Sequence, residues 1–564
     1  MPGEGWDVLH DPGPADSHWS TDNVGEAAPG VLSPLSWSMW GATGDRMPRE
    51  VAYRMGIFSA ADRRRFPPIV RPFYGRIALR MEYLATMGDR MPGVDGADLV
   101  ANMFGRVPET MIFAPTRRRY PVIAFKLPRA MIVAPGEVRR RARVIDAWWR
   151  STIPTISSLT RPETVSTLRD AVQRFDESLT WHSLALLAVV QPLLVELTKL
   201  VERAGVGDVG ALSGTGGAEM AIISDIWLAS RGVLTISDVV ASHGFHGPFE
   251  GEVSSRVWRE DPAPLERMIR GYADRPDAED PVQRERVARE RLPELQRLLL
   301  AALPVTQRPM ARLVLSFAER LLPLRGVGKR AFLQSLDVAR GAARRLGEHL
   351  VAEGGLISAE DVFQLTVDEL TDVLPADAAD LAQLRRERGR EYEAIRLPGN
   401  WRGRPDPTAI AADPRRAAGS MTGAIEAISG LGVSAGVVEG RVRVVVDPSF
   451  AEVEPGEVLV TSTTDPSWAS IMFLSSALIV DIGGPLSHAA VVARELGVPC
   501  VVNTRTASSV LRTGDLVRVD GNTGNVEVLD RVENNQSGHV VRESSSREGK
   551  PWAPTSTECE PLDS

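Results

Sequence analysis

Gly483-Gly484-Pro485-Leu486-Ser487-His488-Ala489-Ala490-Val491-Val492-Ala493-Arg494 decides the reading of this chain. The apolar run Ala477-Leu478-Ile479-Val480 precedes it and reads as a strand closed by Asp481. The glycines and proline make a turn. Ala489 to Leu496 then reads as an apolar helix, stopped by Gly497-Val498-Pro499 and followed by a strand at Cys500-Val501-Val502. Ser487 has the side chain of a helix N-cap. His488 therefore stands at a helix start, where unpaired backbone N–H groups attract anions. A phosphoryl group carried on its imidazole is well placed there, and covalent carriage divides one difficult transfer into two easier ones. Arg494 lies between one and two helical turns further on. It reads equally as a phosphate ligand or as a solvated helix residue.

Bulk properties bound the function classes. A chain of 564 residues has room for roughly two to four domains. Its 43% apolar and 24% charged content is that of a globular protein. The net charge of −8 argues against a dedicated nucleic-acid binder. The positive charge is almost all arginine. Cys500 and Cys559 form neither a metal-ligand spacing nor a disulfide framework, which fits a reducing cytoplasm. No secretory signal opens the sequence. The longest apolar run, Leu184 to Val195, is interrupted by Gln191 and Pro192 and is too short to span a bilayer. No nucleic-acid, membrane or metal partner is expected.

The organisation expected is multidomain. Residues 1–18, rich in Gly, Pro and Asp, read as a disordered N-terminus. Residues 19–396 read as a large, mainly α-helical region, with apolar residues at three-to-four spacing in Val165–Leu179, Ser183–Val201, Pro293–Leu303, Met310–Leu322 and Arg330–Glu353. Residues 397–432 have linker composition. Residues 433–530 switch to short β-rich runs, and 531–564 read as a disordered tail.

The stretch from Gly430 to Leu529 resembles the phosphohistidine swivelling domain of phosphoenolpyruvate (PEP) synthase, pyruvate phosphate dikinase and rifampin phosphotransferase. The resemblance runs through Gly440-Arg441-Val442, Thr464-Asp465-Pro466-Ser467-Trp468, the Gly483–Pro499 stretch and Gly514-Asp515…Val519-Asp520-Gly521…Gly524. It implies a small α/β domain of the β/β/α type. In it His488 is the catalytic carrier, with Gly483, Gly484, Ser487 and Arg494 supporting the phosphate. Synthases and dikinases usually carry Thr or Ser two residues before the histidine, whereas this chain has Leu486. That departure points toward the rifampin phosphotransferase-like branch.

The helical region resembles the same family through Trp19–Trp37, Leu212–Met220, Gly247–Pro262 and Gly354–Leu370. The resemblance makes it a substrate-binding region that offers an acceptor hydroxyl to the phosphohistidine. The family commonly reads Gly-His-Arg-Gly where this chain has Gly244-Phe245-His246-Gly247, so a positive fork suited to phosphate is lost. His246 could serve as general base, with Glu250 or Glu252 orienting it. Arg259 completes the substrate-side candidates. The alternative is a loop histidine among ordinary carboxylates.

Nothing in the sequence resembles the ATP-grasp region of full-length relatives or the PEP-binding barrel of the synthases. A carrier cannot charge itself without triphosphate and Mg²⁺ ligands. The expectation is therefore a split transferase with no intrinsic cofactor. A separate ATP-grasp protein would bind ATP and Mg²⁺ and load His488, and a small-molecule acceptor would receive the group. Two other readings stay open: a non-catalytic binding or regulatory homologue, and one subunit of a divided PEP synthase.

Overall fold

The structure, a computed structural model, describes residues 7–21, 27–28, 30–104, 107–206, 209–212, 218–273, 275–277, 280–409, 428–445, 453–454, 456–464, 468–484 and 487–532. Its principal helices are α1 (Pro34–Met55), α2 (Tyr120–Thr152), α3 (Arg161–Ala185), α4 (Gln191–Ala204), α5 (Ala218–Ser230), α6 (Ile236–His243), α7 (Ala263–Ala273), α8 (Pro281–Ala302), α9 (Arg308–Leu321), α10 (Leu324–Ala352), α11 (Ala469–Leu474) and α12 (His488–Leu496). A mainly helical body is followed by a mixed α/β sheet, as the sequence implies.

Helix α10 is the axis of the helical body. Every residue from Ala331 to Ala343 is buried, and the helix packs against α2, α3 and the short helical segment Ala359–Gln364. Trp40, Phe175 and Phe332 meet edge-to-face in this core, with Trp40 and Phe175 centroids 5.0 Å apart. Local chemistry sets where α1 begins and ends. Ser33 caps it with Pro34 at its first position, and Gly56 closes it in the left-handed conformation. A second, smaller core joins α4, α8 and α9 through Leu197, Leu200, Leu299 and Leu315.

The apolar run at Leu184 to Val195 does not stand alone. A π-helical turn at Leu186–Val190 joins α3 to α4 without a break. The resulting helix, Arg161–Ala204, is long and apolar enough by length and composition to cross a membrane. Leu184, Ala185, Ala188, Val189 and Val190 nonetheless pack inside the helical core.

The N-terminal boundary needs correction. Residues 7–18 pack against the body instead of trailing from it. Val8 and Leu9 are buried, Asp11 N–H donates to the Pro72 carbonyl at 2.8 Å, and Gly75 N–H donates to that of Leu9 at 2.7 Å. They lead into β1 (His18–Ser20), which pairs antiparallel with β3 (Arg76–Arg80) and β4 (Asn400–Arg402), while β2 (Val70–Phe73) covers the other edge of β3. Trp19, Phe73 and Trp401 form the core of this sheet. Residues 400–402, expected in the linker, thus belong to the helical body because Trp401 needs an apolar partner and finds Phe73. Residues 410–427, the middle of the expected linker, and 533–564, most of the expected tail, lie outside the described residues.

The C-terminal sheet has eight strands. In chain order they are β5 (Ile428–Ser429), β6 (Leu431–Ser434), β7 (Val437–Val444), β8 (Val458–Thr461), β9 (Ala477–Val480), β10 (Cys500–Val502), β11 (Leu516–Asp520) and β12 (Asn525–Asp530). The spatial order is β5-β12-β11-β7-β8-β9-β10-β6, with β7 through β10 parallel. The two edge strands, β5 and β6, are neighbours in sequence with only Gly430 between them. The sheet therefore curls upon itself, and the linker's last residues, 428–432, are its closing seam. At that seam backbones touch: a Cβ on Gly521 would lie 2.0 Å from the Ser434 carbonyl oxygen, and one on Gly524 (φ +81°) 2.4 Å from that of Gly430.

Strand periodicity sorts the side chains to two faces. Val458, Val460, Ala477, Ile479 and Val501 fill the inside of the curl with Val442, Val517, Val519 and Val526. Leu459, Leu478, Val480, Cys500 and Val502 point outward and seat α11 and α12. The same outer cluster runs on into α5, α6 and α7 through Ile222, Ile223, Ile226, Trp227, Val239, Leu265 and Tyr272. Tyr272 stacks on Phe473 of α11 with centroids 5.7 Å apart. The curled sheet is thus seated on the helical body through one continuous apolar seam.

Replacing Gly521 by Ala is expected to destabilise the C-terminal sheet by about 1–3 kcal/mol, the usual cost of overpacking. Urea unfolding followed by hydrogen exchange in 428–530 measures it, and protection in α10 should be unchanged.

Candidate functional site

Helix α12 begins at His488. Its N-cap is Ser487, extended at φ −62° and ψ 162°, whose Oγ accepts from Ala490 N–H at 3.3 Å. The approach is close-packed: a Cβ on Gly483 would lie 3.0 Å from Ser487 Oγ and 3.3 Å from Val502 Cβ, so glycine lets the turn pass beneath the cap. Gly484 accepts from Ser487 N–H at 3.0 Å. Leu486, together with Pro485, lies outside the described residues, and so does the His488 side chain. Asp481, at the end of β9, is buried and accepts from Thr504 Oγ1 at 2.9 Å and from the Ser508 amide and hydroxyl. It pins the segment after β10 to the strand that delivers the histidine turn. Ala489, Ala490, Val492 and Ala493 press the rest of α12 into the seam.

Arg494 is not at this helix start. It sits in the last turn of α12, where its Nε donates to the Val433 carbonyl of β6 at 2.7 Å. That bond ties the helix to the closing strand, and six residues of helical rise, about 9 Å, separate it from His488.

The substrate-side candidates divide in two. His246 and Glu250 are brought together: His246 Nδ1 lies 2.5 Å from Glu250 Oε1, and both are buried. A carboxylate can only accept, so Nδ1 carries the proton, and in the neutral ring Nε2 presents its lone pair. Among the described residues Nε2 has no hydrogen-bond partner. The turn that returns Glu250 to His246 is strained at Phe249, a bulky residue at φ 54°. Lys329 Nζ of α10 lies 3.8 Å from Glu250 Oε2. His243 stands beside this pair, its ring 6.1 Å from that of His246 and its Nε2 bonded to Asp225 Oδ2 of α5 at 2.8 Å. Burial lowers the His243 pKa, and Asp225 only partly opposes it. Trp258 has its ring 5.7 Å from that of His246 and belongs to the apolar cluster that holds α12, so the dyad borders the seam.

Glu252 and Arg259 have other partners. Glu252 accepts from Ser33 N–H at 2.8 Å, Ser33 Oγ at 2.8 Å, Ser36 Oγ at 2.7 Å and Ser254 N–H at 2.7 Å, so it fastens the loop to the start of α1. Arg259 reaches Asp337 of α10 at 2.8 Å. Burial works against the Arg259 charge, but Asp337 and Glu260 outweigh it and hold the pKa above its ordinary value. Asp337 also accepts from Trp149 Nε1 at 2.7 Å and faces the buried Arg340 at 3.4 Å.

Sequence reading missed Lys329, His243 and Asp225. They lie on three different helices, and no local motif joins them. The sequence has three arginine runs, at 63–65, 117–119 and 139–141, and members of each are engaged within the fold: Arg63 pairs with Glu50, Arg119 binds the Gly56 and Phe58 carbonyls, and Arg140 and Arg141 meet Glu137. Among the described residues no three His, Cys, Asp or Glu side chains gather to hold a metal ion.

With this geometry in view, comparison with known proteins is informative. Residues 453–524 match the mobile domain of PEP-utilising enzymes. Residues 236–326 match the rifampicin phosphotransferase fourth domain. His488 falls in the first match and the His246–Glu250 dyad in the second. An uncharacterized protein of Mycobacterium tuberculosis is 35% identical over 296 residues, 51% of this chain and 32% of its own. The rifampicin phosphotransferase of Streptomyces sviceus is 37% identical over 191 residues, 32% of this chain and 20% of its own. That of Bacillus cereus is 30% identical over 302 residues, 51% of this chain and 33% of its own. The chain thus spans a third or less of the length of these curated relatives. The mobile-domain match takes in β8 to β11 and α12, within the stretch that carries the resemblance read from the sequence.

Two outcomes follow from the buried groups. Glu252→Ala strands the donors at the start of α1 and should cost about 2–4 kcal/mol in urea unfolding. His182 of α3 is buried beside Arg325 and Lys329, and burial first, then those charges, push its pKa from 6.5 down to about 3. Its unfolded form takes up a proton below pH 6.5 that the folded form refuses, so stability is intact above pH 6.5 and falls toward pH 3. Between pH 6.5 and pH 5 the loss is about 2 kcal/mol, and a His182→Leu chain should lose less over that interval.

Proposed function

We propose that this chain is a phosphotransferase component in which His488 carries a phosphoryl group to a small hydroxylated molecule held by the helical body. The observation that supports it most is a histidine opening a capped helix inside a segment that matches the mobile domain of PEP-utilising enzymes. The helix start favours an anionic group through its amides and dipole, and Gly483 and Gly484 leave room for backbone beside the cap.

In the loading step an imidazole nitrogen of His488 attacks the β-phosphorus of ATP, AMP leaves, and water then removes the γ-phosphate, so that one phosphoryl group stays on the ring. ATP and Mg²⁺ are bound, in this proposal, by a separate ATP-grasp protein in the same cytoplasm. In the delivery step the acceptor oxygen attacks the phosphorus and the P–N bond to His488 breaks. His246 Nε2 takes the acceptor's proton, while Glu250 holds Nδ1–H and stabilises the imidazolium. Lys329 faces the second oxygen of Glu250. The dyad borders the seam that seats α12, so the carrier travels little between its seated position and the acceptor.

A second reading, a non-catalytic binding or regulatory homologue, is favoured by Leu486 and by Phe245 and His246 standing where the family commonly has His and Arg. One experiment separates the two. The chain is incubated with an ATP-grasp protein and ATP labelled on its β and γ phosphates. One acid-labile label per chain is expected, lost in His488→Ala. His246→Gln should take up label normally and release it to acceptor at least about a hundredfold more slowly. An unlabelled wild-type chain, or label that persists in His488→Ala, rejects the carrier role.

A further inference from the structure

Another histidine, far in sequence from the residues assigned to transfer, is built into a different constellation. His18 opens β1. Its Nδ1 lies 2.7 Å from Glu82 Oε1, and its backbone N–H donates to the same oxygen at 2.8 Å. Its Nε2 lies 2.7 Å from Thr110 Oγ1. Glu82 stands in the first turn of the helix Met81–Arg90, where the helix dipole favours a negative side chain. Its second oxygen, Oε2, is buried without a hydrogen-bond partner.

These contacts set the tautomer of the neutral ring. The carboxylate accepts only, so His18 Nδ1 is the donor and Nε2 carries a lone pair. The Thr110 hydroxyl then donates into that lone pair. The imidazole is buried while Thr110 is exposed. The turn beneath the hydroxyl is fixed by Met111, which is buried and whose N–H donates to the Pro108 carbonyl at 3.0 Å. A hydroxyl in reach of solvent, a base behind it and a carboxylate orienting the base are the three parts of an activated nucleophile.

We propose that Thr110, His18 and Glu82 form a second reactive site, at which Thr110 Oγ1 is acylated by activated carboxylic esters. Thr110 Oγ1 attacks the ester carbonyl carbon and its proton passes to His18 Nε2. The tetrahedral adduct collapses, the bond to the leaving alkoxide breaks, and Nε2 returns the proton to that oxygen. The product is an ester on Thr110, with Glu82 stabilising the imidazolium between the two proton transfers. Water attacking the acyl-threonine by the same route restores the hydroxyl and releases the acid.

The full-length chain treated with p-nitrophenyl acetate tests this. The expected result is a burst of about one nitrophenolate per chain and one acetyl group on Thr110 by peptide mass spectrometry. Thr110→Ser should retain the burst and Thr110→Ala should lose it. Glu82→Gln should slow it at least tenfold while circular dichroism stays unchanged, and the burst rate should follow deprotonation of a single histidine. Thr110 is on an exposed turn, so the Thr110→Ala chain should fold and its His488 labelling should match wild type. Acetyl groups found only on lysines or the N-terminus, or a burst at Thr110 unaltered by both Glu82→Gln and His18→Gln, overturn the proposal.

Discussion

Three short parallel strands, β8, β9 and β10, are buried on both faces, and the arrangement of the two candidate sites follows from that. Inward residues such as Val460, Ile479 and Val501 fill the curl of the sheet, and their neighbours Leu459, Leu478 and Val502 hold α12 against its outside. A strand apolar on both faces cannot end a domain at its outer surface. It requires a further layer, which here is α11 and α12 backed by α5, α6 and α7 of the helical body. The turn leaving β9 therefore leads into a helix that shares one apolar cluster with α5, α6 and α7. A polar outer face on these strands would leave α12 without that seat.

The helical body solves a different problem, that of holding charges inside. Asp337 and Arg340 are buried within α10, where an unpaired ion would be strongly destabilising. They are tolerated because Arg259, Trp149 and the Glu252 carbonyl complete their contacts. These bonds run from α10 to the 244–260 loop and thence, through Glu252, to the start of α1. The loop carrying His246 is thus clamped at Glu252 and Arg259, and the strained backbone at Phe249 can persist because its surroundings fix it. The two carboxylates that look alike in sequence, Glu250 and Glu252, end in opposite roles. One faces an imidazole and a lysine, and the other serves a helix start.

Much of the fold is legible in the sequence where the pattern is local. The 3.6-residue apolar period marks α3, α9 and α10, Gly354-Gly355 marks the end of α10, and the two-sided apolar runs mark β8, β9 and β10. The edge strands β5 and β6 are not legible in this way, because such short segments carry too few side chains to show a period. Their pairing depends on glycines at 430, 521 and 524 that allow two backbones to touch. The packed N-terminus was hidden for a related reason: Val8 and Leu9 are two apolar residues in a polar stretch, and only the distant Phe73–Trp401 sheet gives them a place to go.

The sequence by itself determined the helix start at His488, its Ser487 cap and the glycine turn beneath it, because capping and turn chemistry act over four or five residues. It also determined that a helical body precedes a β-rich unit. The tertiary structure alone decided that Arg494 serves β6 rather than the helix start, that Glu250 and not Glu252 meets His246, and that Lys329 joins them. Those pairings span tens of residues or more in several cases. They are set by which buried surfaces fit together, and no periodicity along the chain encodes them.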